Sequence, residues 1–208
     1  MKLLKSILLF ALAAAVSACC GQDGDFTREE VTLLESSDSI MRVLTIADEN
    51  DLAVLRAESR DFSATALSSD EFRRLSELMI ATVTHPSQDG VGIAGPQVGL
   101  NRRVIAVQRF DKDGEPFEIY PNIRIVWASD SLSFGPEGCL SVPDRRGQVA
   151  RSREIVIEYA DRSSQKTSSS DRKCHETPMV RDTVKGFTAV IFQHETDHLD
   201  GILYIDRL

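Results

Sequence analysis

Gln193-His194-Glu195-Thr196-Asp197-His198 is the stretch on which the reading of this chain turns. Upstream of it Val184, Phe187, Val190 and Ile191 recur at three- and four-residue spacing, and the two histidines continue the stripe, as on a helix with one face toward a core. Gly186 stands where an N-cap belongs and Gly201 where a helix stops, so the spacing predicts about four turns between them. On such a helix His194 and His198 share a face with Cβ atoms about 5–6 Å apart, close enough for both imidazoles to hold one metal ion. Glu195, beside the first, is placed to shuttle a proton. A single histidine on a buried stripe is ordinarily a hydrogen-bonded core residue; two at i and i+4 around a glutamate read as metal ligands that still need a third.

The chain has 208 residues, 42% hydrophobic and 27% charged, enough for one globular domain with an ample core. Its formal charge is −8, and residues 1–18 contribute Lys2 and Lys5 and no acid, so their removal leaves 22 basic against 32 acidic side chains. Such a surface offers nothing to a phosphate backbone, which excludes nucleic acid as a partner. The unbroken apolar run 7–16 falls short of the about 20 residues that cross a bilayer, and small residues Ser17 and Ala18 follow it. These are the proportions of a signal peptide. Val16-Ser17-Ala18-Cys19 resembles the lipobox of bacterial lipoproteins, in which Cys19 would be acylated as the mature N-terminus. Residues 1–18 are therefore read as a lipoprotein-type signal peptide, residues 19–37 as an acidic tether, and the cell envelope as the location, with membrane contact only through the lipid on Cys19.

Within the body, Ser68 or Ser69 caps a helix whose stripe is Phe72, Leu75, Leu78, Met79 and Val83, ending before Pro86. His85 at that boundary reads as a solvated helix-end residue. Gly90, Gly92 and Gly95 let a backbone pass very near something else. Their spacing is not a dinucleotide fingerprint, because no strand precedes it and Pro96 interrupts the helix that would follow. Gln97 is the residue there whose side chain both donates and accepts. Strands are expected over residues 103–110, 117–120, 123–127 and 151–159. Cys139 follows Gly138 on an extended segment with Pro136 and Pro143 at its ends. An isolated cysteine is commonly a small buried apolar residue, but beside a helix whose two histidines lack a partner it becomes the candidate third ligand. The serine-rich run 161–184 reads as a polar insertion, and its Cys174-His175-Glu176 as surface loop.

Residues 90–97, 137–141 and 193–198 resemble, in order, spacing and form, the three signature motifs of peptide deformylases, and the similarity covers residues 38–208. The resemblance implies an α+β fold: a single domain of antiparallel or mixed β-sheets packed around a central metal-binding α-helix. It implies one divalent metal ion, Fe2+ before Zn2+, Ni2+ or Co2+, on Cys139, His194 and His198, with Glu195 as acid and base. It further implies that Gln97 and the Leu140 N–H stabilise the anionic formyl oxygen, that Val91 and Gly92 pair with the substrate backbone, and that Phe187, Val190 and Ile191 wall the methionine pocket. The substrates would be N-formyl-Met peptides, hydrolysed to release formate by a monomer. One departure is Gly95, where the family usually has alanine, from which reduced local rigidity is expected. Two other readings compete. A zincin-like metallopeptidase would take its third ligand downstream, where only Asp200 and Asp206 are available, both very close to the helix; a lipid-anchored, non-catalytic formyl-peptide binder would not need Glu195.

Overall fold

In the computed structural model, which describes residues 25–88, 90–161 and 177–208, the two histidines lie on a helix, α5 (Gly186–Leu199), that runs between two sheets. One sheet has the order β1 (Gly92–Ala94), β2 (Val104–Gln108), β3 (Phe117–Pro121); the other has β4 (Arg124–Ala128), β7 (Glu154–Ala160), β8 (Met179–Lys185). A separate hairpin joins β5 (Leu132–Cys139) to β6 (Val142–Ser152), and every ladder between these strands is antiparallel. This is the α+β arrangement around a central helix that the sequence predicts.

The helix sits in the middle because apolar side chains on more than one side of it meet both sheets, while its second half buries the polar residues of the site. Ala189, Ile191, Phe192 and Leu199 share one core with Ile105, Val107 and Tyr120 of the first sheet and Ile155, Ile157 and Val184 of the second. A helix between two sheets buries more than one narrow stripe, and the expected stripe also misplaces Phe187, which is exposed. Phe192, outside that stripe, is fully buried edge-on to Tyr120 with ring centroids 4.8 Å apart, a burial that contributes about 1.5–3 kcal/mol. Val184, counted in the stripe, belongs to β8. Gly186 is also not the cap: Lys185 occupies that position, and Gly186 takes φ +64 where the chain turns from β8 into α5.

On the other side of β2 packs α4 (Asp70–Val83), capped by the Ser69 hydroxyl, which accepts from the Phe72 N–H. Its buried Phe72, Leu75, Leu78, Met79 and Val83 meet Val104 and Ala106, so β2 is covered on both faces. Two shorter helices, α2 (Glu49–Leu55) and α3 (Ala64–Leu67), lie in the segment before α4.

Three expectations need correction. Residues 28–36 of the acidic tether form a helix, α1 (Arg28–Ser36), closed by a capping box between Thr27 and Glu30. Leu34 is buried against the α4 core, and Glu30 pairs at 2.7 Å with Arg102, whose guanidinium lies over the Phe62 ring. A buried arginine needs a carboxylate, and this acidic segment supplies it. Likewise residues 179–184 of the polar insertion are strand, paired with β7 along its whole length up to the bond from Asp161 N–H to Pro178 C=O. Finally, residues 151–159 are not one strand: Arg151 and Ser152 end β6, and β7 begins at Glu154. The leader, Cys19 and Cys174-His175-Glu176 lie outside the described residues. Among the described residues no helix is long and apolar enough to cross a membrane.

Candidate metal centre

The i, i+4 spacing on α5 sets the His194 and His198 rings 5.2 Å apart, centroid to centroid. Cys139, the last residue of β5, faces them from the tight turn Leu140-Ser141, and its Sγ lies 3.2 Å from His198 Nε2. One ligand atom from each of Cys139, His194 and His198 falls within 4.8 Å of the others. The downstream acids that a zincin-like site would need are engaged elsewhere, Asp200 with Arg103 and Asp206 with Arg56.

A buried row of charges orients the set. His194 Nδ1 lies 2.8 Å from Glu137 Oε2, which turns Nε2 of the same ring toward Cys139. Glu137 receives two bonds from Arg151, at 2.8 and 2.9 Å, and Arg151 Nη1 donates to Asp197 at 2.6 Å. Arg207 closes the row on the far side of Asp197. Burial works against ionised Glu137, but the bonds from Arg151 and His194 outweigh it and hold the carboxyl down at about 2. Glu137→Gln keeps the shape and removes that charge, so metal affinity should fall about 10- to 100-fold, measured by competition with a chromogenic chelator.

The donor set suits a cation. Burial disfavours protonated His194, yet hydrogen bonds to Cys139 and Glu137 prevail and raise it to about 10. His198 is pushed well down, first by burial and then by the charge on His194. An ion bound here would displace the proton on His194; one sulfur and two nitrogen donors are the chemistry of a borderline-soft divalent ion. Beside them Glu195 is 4% exposed, and its Oε2 has no hydrogen-bond partner among the described residues. Burial pushes its carboxyl up to about 7.

Gly92 makes room for that carboxylate. A Cβ at Gly92 would stand 2.6 Å from Glu195 Oε1 and 2.9 Å from Cγ. Gly92→Ala must therefore displace the acid, and turnover should drop about 100-fold with metal content unchanged, as read by steady-state kinetics on metal-quantified protein. Gly95 is equally constrained: a methyl there would lie 2.6 and 2.8 Å from the carbonyl oxygens of Arg102 and Leu100. Glycine at this position brings close packing here, not the loosening expected.

The remaining predicted residues line one cleft of about 840 Å³ with Cys139, His194 and Glu195: Val91, Gly92, Gln97, Leu140, Phe187, Val190 and Ile191. β1 is an edge strand. Val91 C=O already accepts from Gln108 N–H, so by the alternation of an antiparallel edge it is Gly92 whose backbone groups face the cleft. Gln97, on a short 3-10 turn (Gly95–Val98), accepts from Ala94 N–H at 2.9 Å. Its Nε2 donates to Ser141 Oγ at 3.2 Å and reaches Cys139 Sγ at 3.5 Å. Sequence reasoning passed over Glu137, Ser141, Arg151 and Arg207. Glu137 and Ser141 lie inside one of the three motifs, so their position is a usable signal; Arg151 and Arg207 carry none, since nothing local in the sequence separates an arginine that is drawn into a site from one on the surface.

Comparison with known proteins shows the family. Residues 40–208 match the family model described as polypeptide deformylase. A peptide deformylase of Leptospira biflexa is 32% identical over 163 residues, 74% of this chain and 82% of that protein, and one of Finegoldia magna is 33% identical over 170 residues, 81% and 91%. Among solved structures, a class I type b peptide deformylase from Acinetobacter baumannii bound to Met-Ala-Ser has a TM-score of 0.64 at 32% identity, covering 81% of this chain and 98% of that one. The enzyme from Thermotoga maritima has a TM-score of 0.66 at 28% identity, covering 82% and 99%. With the two-histidine helix, the cysteine-bearing turn and the glycine-rich edge strand all inside the matched region, the chain belongs to the polypeptide deformylase family.

Proposed function

We propose that the chain is a metal-dependent deformylase that hydrolyses the formyl amide of N-formyl-Met peptides. The observation that carries this is the convergence of Cys139 Sγ and both histidines beside a buried Glu195 oxygen without a partner, inside one open cleft. The Met-Ala-Ser tripeptide bound by the Acinetobacter baumannii relative supports a substrate with methionine first. Cys139 Sγ and the Nε2 atoms of His194 and His198 would hold the ion, whose Lewis acidity polarises both water and the formyl carbonyl. The donor set accepts Fe2+, and also Zn2+, Ni2+ or Co2+.

The residues of the chain do the rest. The substrate backbone pairs along the β1 edge at Gly92, and the methionine side chain enters between Phe187, Val190 and Ile191. Glu195 takes a proton from the attacking water, whose oxygen bonds to the formyl carbon. The carbon–nitrogen bond then breaks, the same proton passes from Glu195 to the leaving amine nitrogen, and formate departs. While charge sits on the formyl oxygen, the Leu140 N–H and the Gln97 amide are the nearby donors. Gln97 must share protons already given to Ser141 and Cys139 to do so. The test is formate release from formyl-Met-Ala by protein purified anaerobically with iron; no turnover by metal-loaded protein sinks the reading.

We further propose that this activity lies in the envelope of the cell, on a monomer held by the lipid on Cys19; the apolar run 7–16 and the sequence Val16-Ser17-Ala18-Cys19 support this reading. Fractionation of cells carrying the parent chain and Cys19→Ala decides it. Recovery of the parent protein in the soluble cytosol would end the proposal.

A further inference from the structure

The mouth of the cleft carries two guanidinium groups that the reaction does not use. Cys139 pairs with Val142 and Glu137 with Gly147, so the four residues Pro143-Asp144-Arg145-Arg146 stand opposite Gly138 alone and leave the β5–β6 ladder as a bulge. Asp144 takes φ +59 within it. A Cβ on Gly138 would lie 3.6 Å from Arg146 Cγ, so the bulge is laid against the residue preceding Cys139. Bulges re-aim side chains, and this one brings Asp144, Arg145 and Arg146 to the rim of the cleft.

Both arginines are exposed, and among the described residues neither makes a hydrogen bond or an ion pair. The contrast with Arg56, Arg102, Arg103, Arg151 and Arg207 is sharp, since each of those holds a carboxylate. In a chain with a formal charge of −8, acids are plentiful, yet among the described residues this side of the cleft presents two uncommitted cations against one exposed acid, Asp144. Deeper in, Glu137 is neutralised by Arg151 and His194 and offers these arginines no competing partner. A cleft focuses such a charge on whatever enters it.

We propose that Arg145 and Arg146 select substrates bearing a carboxylate within a few residues of the formyl-methionine, so that short formyl peptides are preferred over long chains without one. This rests on the deformylase reading above. With the formyl group beside Glu195 and the chain leaving along Gly92, each further residue advances about 3.3–3.6 Å, so a short peptide stays within reach of the cleft that Gly92 and the bulge both line. Guanidinium matches carboxylate in geometry as well as charge. The carboxylate can be a free C-terminus or an acidic side chain.

Three substrates separate these sources: formyl-Met-Ala-Ser, its C-terminal amide, and formyl-Met-Ala-Asp amide. With the metal-loaded full chain, the KM of the serine amide should exceed that of the free acid about fivefold, a gap that narrows as salt rises. The aspartyl amide recovers the low KM if side-chain carboxylates are read, and stays high if only the terminus is. In the double variant Arg145→Gln, Arg146→Gln the ratio should fall to about one, and with both changed to glutamate it should invert. Calorimetry with the products Met-Ala-Ser and Met-Ala-Ser amide reads the same preference without turnover. Equal KM and equal Kd for acid and amide in the parent protein overturn the carboxylate inference and leave the deformylase intact. Absence of formate from all three substrates overturns the deformylase instead, and the calorimetric comparison still decides whether the arginines bind carboxylate.

Discussion

Glu195→Gln is expected to lower kcat by about 10²- to 10⁴-fold while the protein keeps its full complement of metal. Glutamine preserves the shape that Gly92 accommodates and leaves Cys139, His194 and His198 untouched. It cannot carry a proton from water to the leaving nitrogen. Formate release and metal content should be measured on the same preparation; activity within tenfold of the parent assigns the proton to another group. The substitution also has an opposite effect on stability. Burial raises the Glu195 carboxyl from 4.5 to about 7, so the folded state binds this proton more tightly than the unfolded chain. Stability from that group is present below about 4.5 and is lost as pH rises through about 7. Metal-free Glu195→Gln escapes this loss, and its Tm should gain on that of the metal-free parent between pH 5 and 8. A Tm difference that does not change with pH would contradict the raised carboxyl.

Cys139→Ala should abolish both metal retention and turnover, an effect at least as large as that at Glu195. Two imidazoles with solvent in place of the thiolate form a much weaker set. The turn itself should survive, because Val142, Val149, Leu203 and Tyr204 pack beneath it. Circular dichroism and metal analysis of the purified variant distinguish loss of the ligand from loss of the fold. Asp200→Ala is the control: Asp200 is held by Arg103, away from the donor set, and its removal should leave the metal in place. A variant that loses its metal there while Cys139→Ala keeps it would restore the zincin-like reading.

Much of the site was legible in the chain because it is written in local spacing. Histidines at i and i+4 share a helix face whatever surrounds them, and the glycines at 90, 92 and 95 announced close approach before anything showed what approached. The stripe of α4 was read correctly for the same reason, its period being a property of the helix itself. The reading failed where the partner decides. Residues 142–152 are rich in polar side chains and include Pro143 and Gly147, and they become a strand only because residues 132–139 lie beside them. The acidic segment before residue 38 looked like solvated chain, since its composition cannot reveal that Glu30 meets a buried Arg102.

By itself, then, the sequence determined the helix that carries His194 and His198 and the glutamate between them, because helical geometry ties each to its neighbours within a turn or two, whereas Cys139, on a different element, was marked only by its place in a motif. Only the tertiary structure decided that Gly92 leaves space for Glu195, that Glu137, Arg151, Asp197 and Arg207 run in one row behind His194, and that Arg145 and Arg146 stand at the mouth of the cleft. Each of these is a contact between residues far apart in the chain. A charged or small side chain can be satisfied by many partners, and only the packed domain selects one.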